Sequence, residues 1–156
     1  TLAAHWRLAT DVKKTSDEYG ILFASLLAAA GIPSQRLSGA IISSAPDLSR
    51  FNRALMTGRL LTPSMLREMK TTVPWDPKNP SGLRYGLGLM RYPTLCGVSW
   101  GHGGDVPGYH DLALWNERTD RTAVVATTLF HAPAAANVAE DKLTGFALCG
   151  TPPLQR

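Results

Sequence analysis

A single histidine among glycines is the part of this sequence best suited to chemistry. The segment reads Ser99-Trp100-Gly101-His102-Gly103-Gly104-Asp105-Val106-Pro107-Gly108-Tyr109. Because glycine has no Cβ, a ligand or another backbone can approach the main chain closely there. An imidazole titrates near neutral pH, so His102 could donate a hydrogen bond to a substrate carboxylate. A turn that merely requires glycine is the alternative interpretation of the same pattern.

Other reactive or aromatic residues are expected to have structural roles. His110 and Asp111 are adjacent, and neighbouring residues of a strand face opposite sides, so they are not expected to act as a catalytic pair. Three tryptophans, Trp75, Trp100 and Trp115, are expected to fill the core or its rim. His110 and Asp111 adjoin the glycine-rich segment and could still line the rim of a cleft.

The two cysteines, Cys96 and Cys149, leave two possibilities open. Their spacing matches neither a zinc site nor a C-x-x-C redox motif. One disulfide, which implies an oxidising compartment, is the simplest interpretation. Two buried thiols in a cytosolic protein are the alternative.

Composition restricts the class of protein. The 156 residues are 44% hydrophobic and 18% charged, which is typical of one globular domain. The net charge of +4 comes from dispersed basic residues without a recognition motif, so no nucleic-acid partner is expected. The longest apolar stretch, residues 20–33, falls short of a membrane span. Since Thr1 and not Met begins the chain, removal of a leader or a larger upstream segment is expected.

The residue pattern predicts helices followed by strands. Apolar spacing predicts a helix over residues 16–30, and capping residues Ser44 and Thr62 predict two more, the first ending at Gly58. Alternation then predicts strands over residues 85–91, 97–101, 111–115 and 122–129, with residues 116–121 as a hairpin connection and a glycine-rich turn after residue 101. A last helix is predicted over residues 134–148, with Val138, Leu143, Phe146 and Ala147 buried. The order indicates an α+β fold.

Four blocks of sequence carry a resemblance to a known family: residues 39–51, 54–61, 85–89 and 101–104. In this order and spacing they resemble the C-terminal portion of serine D-alanyl-D-alanine carboxypeptidases and class C-type β-lactamases. The resemblance covers residues 39–150, leaving residues 1–38 as an uncertain N-terminal segment with one amphipathic helix and residues 151–156 as a tail. It implies a partial fold of that family, with an antiparallel sheet, a C-terminal helix packed on it and N-terminal helices.

The resemblance also implies a mechanism and a location. His102, Gly103 and Gly104 match the family's H-x-G strand, whose backbone pairs with the substrate and whose histidine helps to recognise a terminal carboxylate. The expected substrate is a peptidoglycan-type peptide or a β-lactam, with no metal and no other cofactor. A Cys96–Cys149 disulfide, placed as in secreted relatives, implies a secreted or extracytoplasmic protein.

The sequence departs from the family at the nucleophile. No lysine follows a serine by three residues, and neither Y-x-N nor S-x-N occurs. The block Trp6-Arg7-Leu8-Ala9-Thr10-Asp11-Val12-Lys13 resembles the nucleophile block with threonine in place of serine, which makes Thr10 and Lys13 the catalytic candidates. Two hypotheses follow: an incomplete serine-type hydrolase, and an inactive module that binds peptidoglycan peptides. A partial fold also predicts self-association or a second chain that supplies the missing elements.

Overall fold

A computed structural model of the chain describes residues 31, 35–37, 40–106, 109–128 and 134–150. The fold is α+β, as expected. Helices α1 (Ala45–Met56), α2 (Pro63–Met69) and α3 (Ala134–Cys149) accompany two antiparallel sheets. The small sheet pairs β1 (Gln35–Leu37) with β2 (Ala40–Ile42). The large sheet contains six strands in sequence order: β3 (Val73–Pro74), β4 (Arg84–Tyr85), β5 (Met90–Thr94), β6 (Gly97–Val106), β7 (Tyr109–Asn116) and β8 (Thr122–Thr127).

Helices α1 and α2 begin at the predicted caps. The Ser44 hydroxyl accepts a hydrogen bond from the Asp47 backbone N–H at 3.3 Å, and the Thr62 hydroxyl accepts one from Met65 N–H at 3.4 Å. Pro63 is the first residue of α2, where a missing N–H costs nothing. Gly58 has a φ of +75°, so the chain turns away just after α1 ends.

The two helices cover one face of the large sheet. Their buried side chains Phe51, Leu55 and Met69 form one core cluster with Trp100 of β6 and Trp115 of β7. Both tryptophans are therefore core residues, as predicted, and the cluster attaches the central strands to the helices.

Helix α3 lies on the other face of the large sheet, where its Leu148 belongs to one core cluster with Leu114 of β7. The helix contacts β7 and β8. The predicted buried face of this helix is wrong. Leu148 is fully buried and Thr144 nearly so, whereas Val138, Leu143 and Phe146 are about half exposed or more. A disulfide joins Cys149 to Cys96, and this covalent attachment turns the Leu148 side of the helix toward the sheet.

The strand boundaries also correct two sequence predictions. The expected strand over residues 85–91 is two strands, because the chain turns between them and Gly88 adopts a φ of +65°. The expected glycine-rich turn after Gly101 is wrong, because β6 continues to Val106. Its partner β7 pairs with it in register from Ser99↔Asn116 to Val106↔Tyr109. Long-range pairing therefore extends a segment that local sequence marks as a turn.

Two further predictions concern the helix over residues 16–30 and the absence of a membrane span. The helix predicted over residues 16–30 lies outside the described residues. Among the helices that are described, none combines the length and apolarity needed to cross a bilayer.

Candidate functional site

The two halves of β6 have different neighbours. We call residues 97–101 the paired half and residues 102–106 the edge half. The paired half lies between β5 and β7. Its pairing with β5 runs from Met90↔Gly101 to Thr94↔Gly97. Within the described residues, the edge half pairs with β7 alone. Its other side therefore presents main-chain N–H and C=O groups that an extended peptide could pair with.

His102 begins the edge half, and its imidazole is exposed. Its Nε2 lies 3.1 Å from the Tyr85 hydroxyl of β4, and the two rings meet edge to face with centroids 5.7 Å apart. The other ring nitrogen, Nδ1, contacts the Gly103 carbonyl oxygen. An imidazole buried in the hydrophobic interior would have contradicted a role in binding, and His102 does not lie there.

These two contacts fit the tautomer of His102 that carries hydrogen on Nδ1. A carbonyl oxygen only accepts hydrogen bonds, so in this tautomer Nδ1 donates to Gly103. Nε2 then has a lone pair and accepts from the Tyr85 hydroxyl. Both ring nitrogens of His102 are thus engaged by the protein.

An aromatic row continues from His102 toward the edge of the sheet. The Trp75 ring lies 5.7 Å from the Tyr85 ring, and Trp75 is 60% exposed. Trp75 therefore differs from the two core tryptophans and lies at the rim, one of the two places that the sequence predicted for it. Tyr85 connects this exposed indole to the imidazole.

Close packing against β7 accounts for three glycines of β6, namely Gly101, Gly103 and Gly104. A Cβ at Gly101 would collide with the Ala113 carbonyl oxygen. A Cβ at Gly104 would lie 2.6 Å from Asp111 Oδ1, and one at Gly103 would lie 3.2 Å from the Asp111 carbonyl oxygen. The neighbouring strand, rather than a ligand, occupies the space that these missing side chains leave.

The histidine and the aspartate at the start of β7 contact different elements. His110 Nε2 lies 2.9 Å from Glu140 Oε1 of α3, whereas the Asp111 carboxylate lies against Gly104 of β6. His110 thereby connects the sheet to α3. Asp111 contributes a carboxylate beside the edge half.

An ion pair supports the paired half from the helix side. Lys70 Nζ lies 2.9 Å from Glu117 Oε1 and 4.5 Å from the centroid of the Trp100 ring. The hydrogen bond from Lys70 lowers the pKa of Glu117, and partial burial opposes this by raising it. The pair lies beside Trp100, two residues before His102 in β6, and helps to fix the indole.

The structure brings together only part of the predicted site. His102, Gly103 and Gly104 are consecutive in β6, and the Cys96–Cys149 disulfide is confirmed. Thr10 and Lys13 lie outside the described residues. In the parts of the chain that are described, no three His, Cys, Asp or Glu side chains are grouped so as to hold a metal ion.

Sequence reasoning missed the contact between Tyr85 and His102. Tyr85 belongs to a block that the resemblance used, but no local pattern connects it to a residue 17 positions away. The contact depends on the register of three strands, in which Tyr85 pairs with Met90 and Met90 with Gly101.

Comparisons with known proteins agree with this architecture. The family model described as Beta-lactamase matches residues 3–145. A D-stereospecific amidohydrolase from a Streptomyces species is 38% identical with a TM-score of 0.59, over 71% of this chain and 31% of that one. The D-amino acid amidase of Ochrobactrum anthropi SV3, solved with L-phenylalanine amide, is 25% identical with a TM-score of 0.50, over 56% and 26% of the two chains.

A second likeness, to enzymes of a differently named class, is limited to short stretches of sequence. The chain is 40% identical over 82 residues to a type III pantothenate kinase of Pelobacter propionicus, which is 51% of this chain and 32% of the kinase. It is 49% identical over 43 residues to the enzyme of Brevibacillus brevis, which is 28% and 17% of the two chains. The chain thus spans a third or less of the relatives that it matches. The model that matches most of its length decides the family: the chain belongs to the beta-lactamase family.

Proposed function

We propose that this chain forms the substrate-strand side of a serine-hydrolase type of site that acts on amides. The observation that carries the proposal is the edge half of β6, which begins with an exposed histidine and pairs on one side only among the described residues. Membership of the beta-lactamase family and likeness to D-amino acid amidases support it.

The chemistry is acyl transfer followed by hydrolysis. An extended substrate adds to the edge half, whose N–H groups hydrogen-bond the acyl portion and stabilise negative charge on its carbonyl oxygen. A hydroxyl oxygen attacks the carbonyl carbon, its proton passes through a base to the departing amine, and the C–N bond breaks. Water then releases the acid from the ester. We assign the hydroxyl to Thr10 and the base to Lys13.

The two candidate substrate classes are D-amino acid amides and peptides that end in D-Ala-D-Ala, with β-lactams as analogues of the peptides. The two amidase relatives favour the amides, and the H-x-G resemblance favours the peptides. The disulfide between Cys96 and Cys149 supports export to an oxidising compartment. The pantothenate kinase likeness covers too little of those enzymes to contribute an activity.

A second candidate is an inactive module that binds the same peptides. It is favoured by a specific feature of the sequence, since no serine precedes a lysine by three residues. In this alternative the edge half still pairs with a peptide, but no acyl group is transferred. Peptide binding without a covalent product distinguishes it from the enzyme.

The experiment is intact-protein mass spectrometry after incubation of the full chain with a labelled penicillin. If the chain is an enzyme, the unsubstituted protein should form an adduct with the mass of one penicillin. The adduct should be absent in Thr10→Val and present in the control Thr15→Val. Release of ammonia from D-phenylalaninamide is measured on the same samples. Ligand binding by a folded sample without adduct or ammonia would establish the binding module, and absence of binding would refute both candidates.

A further inference from the structure

The contacts of His102 affect which group at the end of a substrate the site accepts, an amide or a free carboxylate. We propose that Tyr85 is a positioning residue that withholds His102 from anionic end groups, so the site prefers an amide to a free carboxylate. This inference rests on the proposed function and deepens it by specifying the substrate class. It starts from the two hydrogen bonds that occupy both ring nitrogens.

The sheet itself brings Tyr85 to His102. Tyr85 of β4 lies in register with Met90 of β5, which lies in register with Gly101, the residue before His102. Because β5 is paired no further than Gly101, the tyrosine hydroxyl reaches across to the imidazole at the start of the edge half. The edge-to-face arrangement of the rings stabilises this approach.

A carboxylate needs donors, and the neutral His102 has none to give. Its single N–H, on Nδ1, is directed to the Gly103 carbonyl oxygen, and its Nε2 lone pair accepts from Tyr85. To donate to a carboxylate, Nε2 must gain a proton and the Tyr85 hydroxyl must be displaced. An uncharged amide avoids this cost, because the N–H and C=O groups along the edge half can pair with it.

The resemblance alone implied the opposite role for His102, namely recognition of a terminal carboxylate. The imidazole can take that role only after losing the contact that the structure shows. Tyr85→Phe is the change that tests the difference. It removes the hydroxyl and keeps the ring that packs between Trp75 and His102.

The first test needs no ligand and follows the imidazole directly. Nitrogen-15 NMR of the full chain reports which ring nitrogen carries hydrogen, and His102→Gln identifies the signals of His102. We expect hydrogen at Nδ1 in both chains, because the Gly103 carbonyl oxygen is unchanged, and a displaced Nε2 signal in Tyr85→Phe, because the hydrogen bond from the Tyr85 hydroxyl is lost. Tyr109→Phe, which changes an exposed tyrosine on β7, should leave the spectrum unchanged. An Nε2 signal of His102 that is the same in Tyr85→Phe and in the unsubstituted chain would overturn the inference.

The second test compares D-phenylalaninamide with D-phenylalanine by calorimetric binding, with every chain carrying Thr10→Val so that the amide is not hydrolysed during the measurement. Both carry the same ring and ammonium, so their affinity ratio isolates the end group. We expect the unsubstituted chain and Tyr109→Phe to favour the amide, and Tyr85→Phe to lose about fivefold of that preference, the usual effect of one hydrogen bond. An unchanged ratio with a displaced Nε2 signal would refute the role in selectivity. If neither compound binds, the proposed function fails, while the NMR result still decides whether Tyr85 holds His102.

Discussion

The paired half and the edge half of β6 belong to one strand but serve different purposes. In the paired half, Ser99 is fully buried and Trp100 is 5% exposed, with β5 and β7 on either side. In the edge half, His102 is exposed and β7 is the one paired neighbour among the described residues. Within the described parts of the chain, two strands therefore pair with the first half of β6 and one strand pairs with the second.

This difference shows how a small sheet can separate stability from recognition. Buried side chains and two rows of strand hydrogen bonds stabilise the paired half, whereas the open side of the edge half contributes little to folding. Substitutions in the first half should therefore change the free energy of unfolding. Substitutions at His102 should change ligand binding more than stability.

The largest expected effect lies at the boundary between the halves. Gly101→Ala places a methyl group against the Ala113 carbonyl oxygen, so β6 and β7 must separate or shift register. We expect the free energy of unfolding to fall by more than about 4 kcal/mol, measured by urea denaturation.

Gly145→Ala is the matched control for that substitution. Gly145 lies in α3, where an added methyl group would meet no neighbouring atom within 4 Å, so alanine should stabilise the chain by roughly 0.5–1 kcal/mol. Equal effects of the two substitutions would contradict the close approach of β7 at Gly101.

Removing the disulfide tests the anchor next to the paired half. The bond closes a loop over a sequence separation of 53 and fixes α3 to the turn before β6. The double substitution Cys96→Ala and Cys149→Ala should lower the free energy of unfolding by about 3 to 4 kcal/mol in the chain-entropy model. Thermal unfolding, with the reduced parent chain for comparison, measures the effect, and an unchanged midpoint would show that other contacts hold α3.

Asn116 is expected to have a smaller but still clear effect. Its amide donates to Ser99 Oγ at 2.9 Å, and its Oδ1 accepts from the N–H groups of Arg118 and Thr119. Asn116→Ala removes these hydrogen bonds, among them the one to the fully buried Ser99, and should destabilise the chain by about 2–3 kcal/mol. Asn79→Ala, in an exposed loop, should differ little from the parent in urea denaturation. Similar losses for both would mean that the buried network does not stabilise the hairpin.

The smallest effect expected is a dependence on pH. Because the folded pKa of Glu117 is lowered from the usual 4.5, its pair with Lys70 stabilises the fold above that value and is lost as pH falls through the lower one. The exposed geometry limits the gain to less than about 1 kcal/mol. Urea denaturation at pH 6 and pH 3 should show a smaller drop in Glu117→Gln than in the parent. An identical drop would assign the acid sensitivity to other groups.

The sequence predicted local features such as helix caps well. It predicted poorly which face of a helix is buried and which segments pair as strands. The caps at Ser44 and Thr62 were correct, because capping depends on residues within one turn. The predicted buried face of α3 was wrong, because the spacing of apolar residues along the helix carries no information about the attachment of Cys149 and Leu148 to the sheet. The turn expected after Gly101 was wrong for the same reason: local glycine content does not reveal a partner strand.

The amino-acid sequence by itself determined the α+β class, two helix starts, the cysteine pair, the family resemblance and the importance of the segment around His102. Tertiary structure alone decided that β6 continues through this segment, that its pairing with β5 ends at Gly101 and that Tyr85 meets His102. Chain-local preferences act over a few residues, whereas strand register joins residues that are far apart in sequence. The candidate site depends on that register, so it emerges only when the sheet has formed.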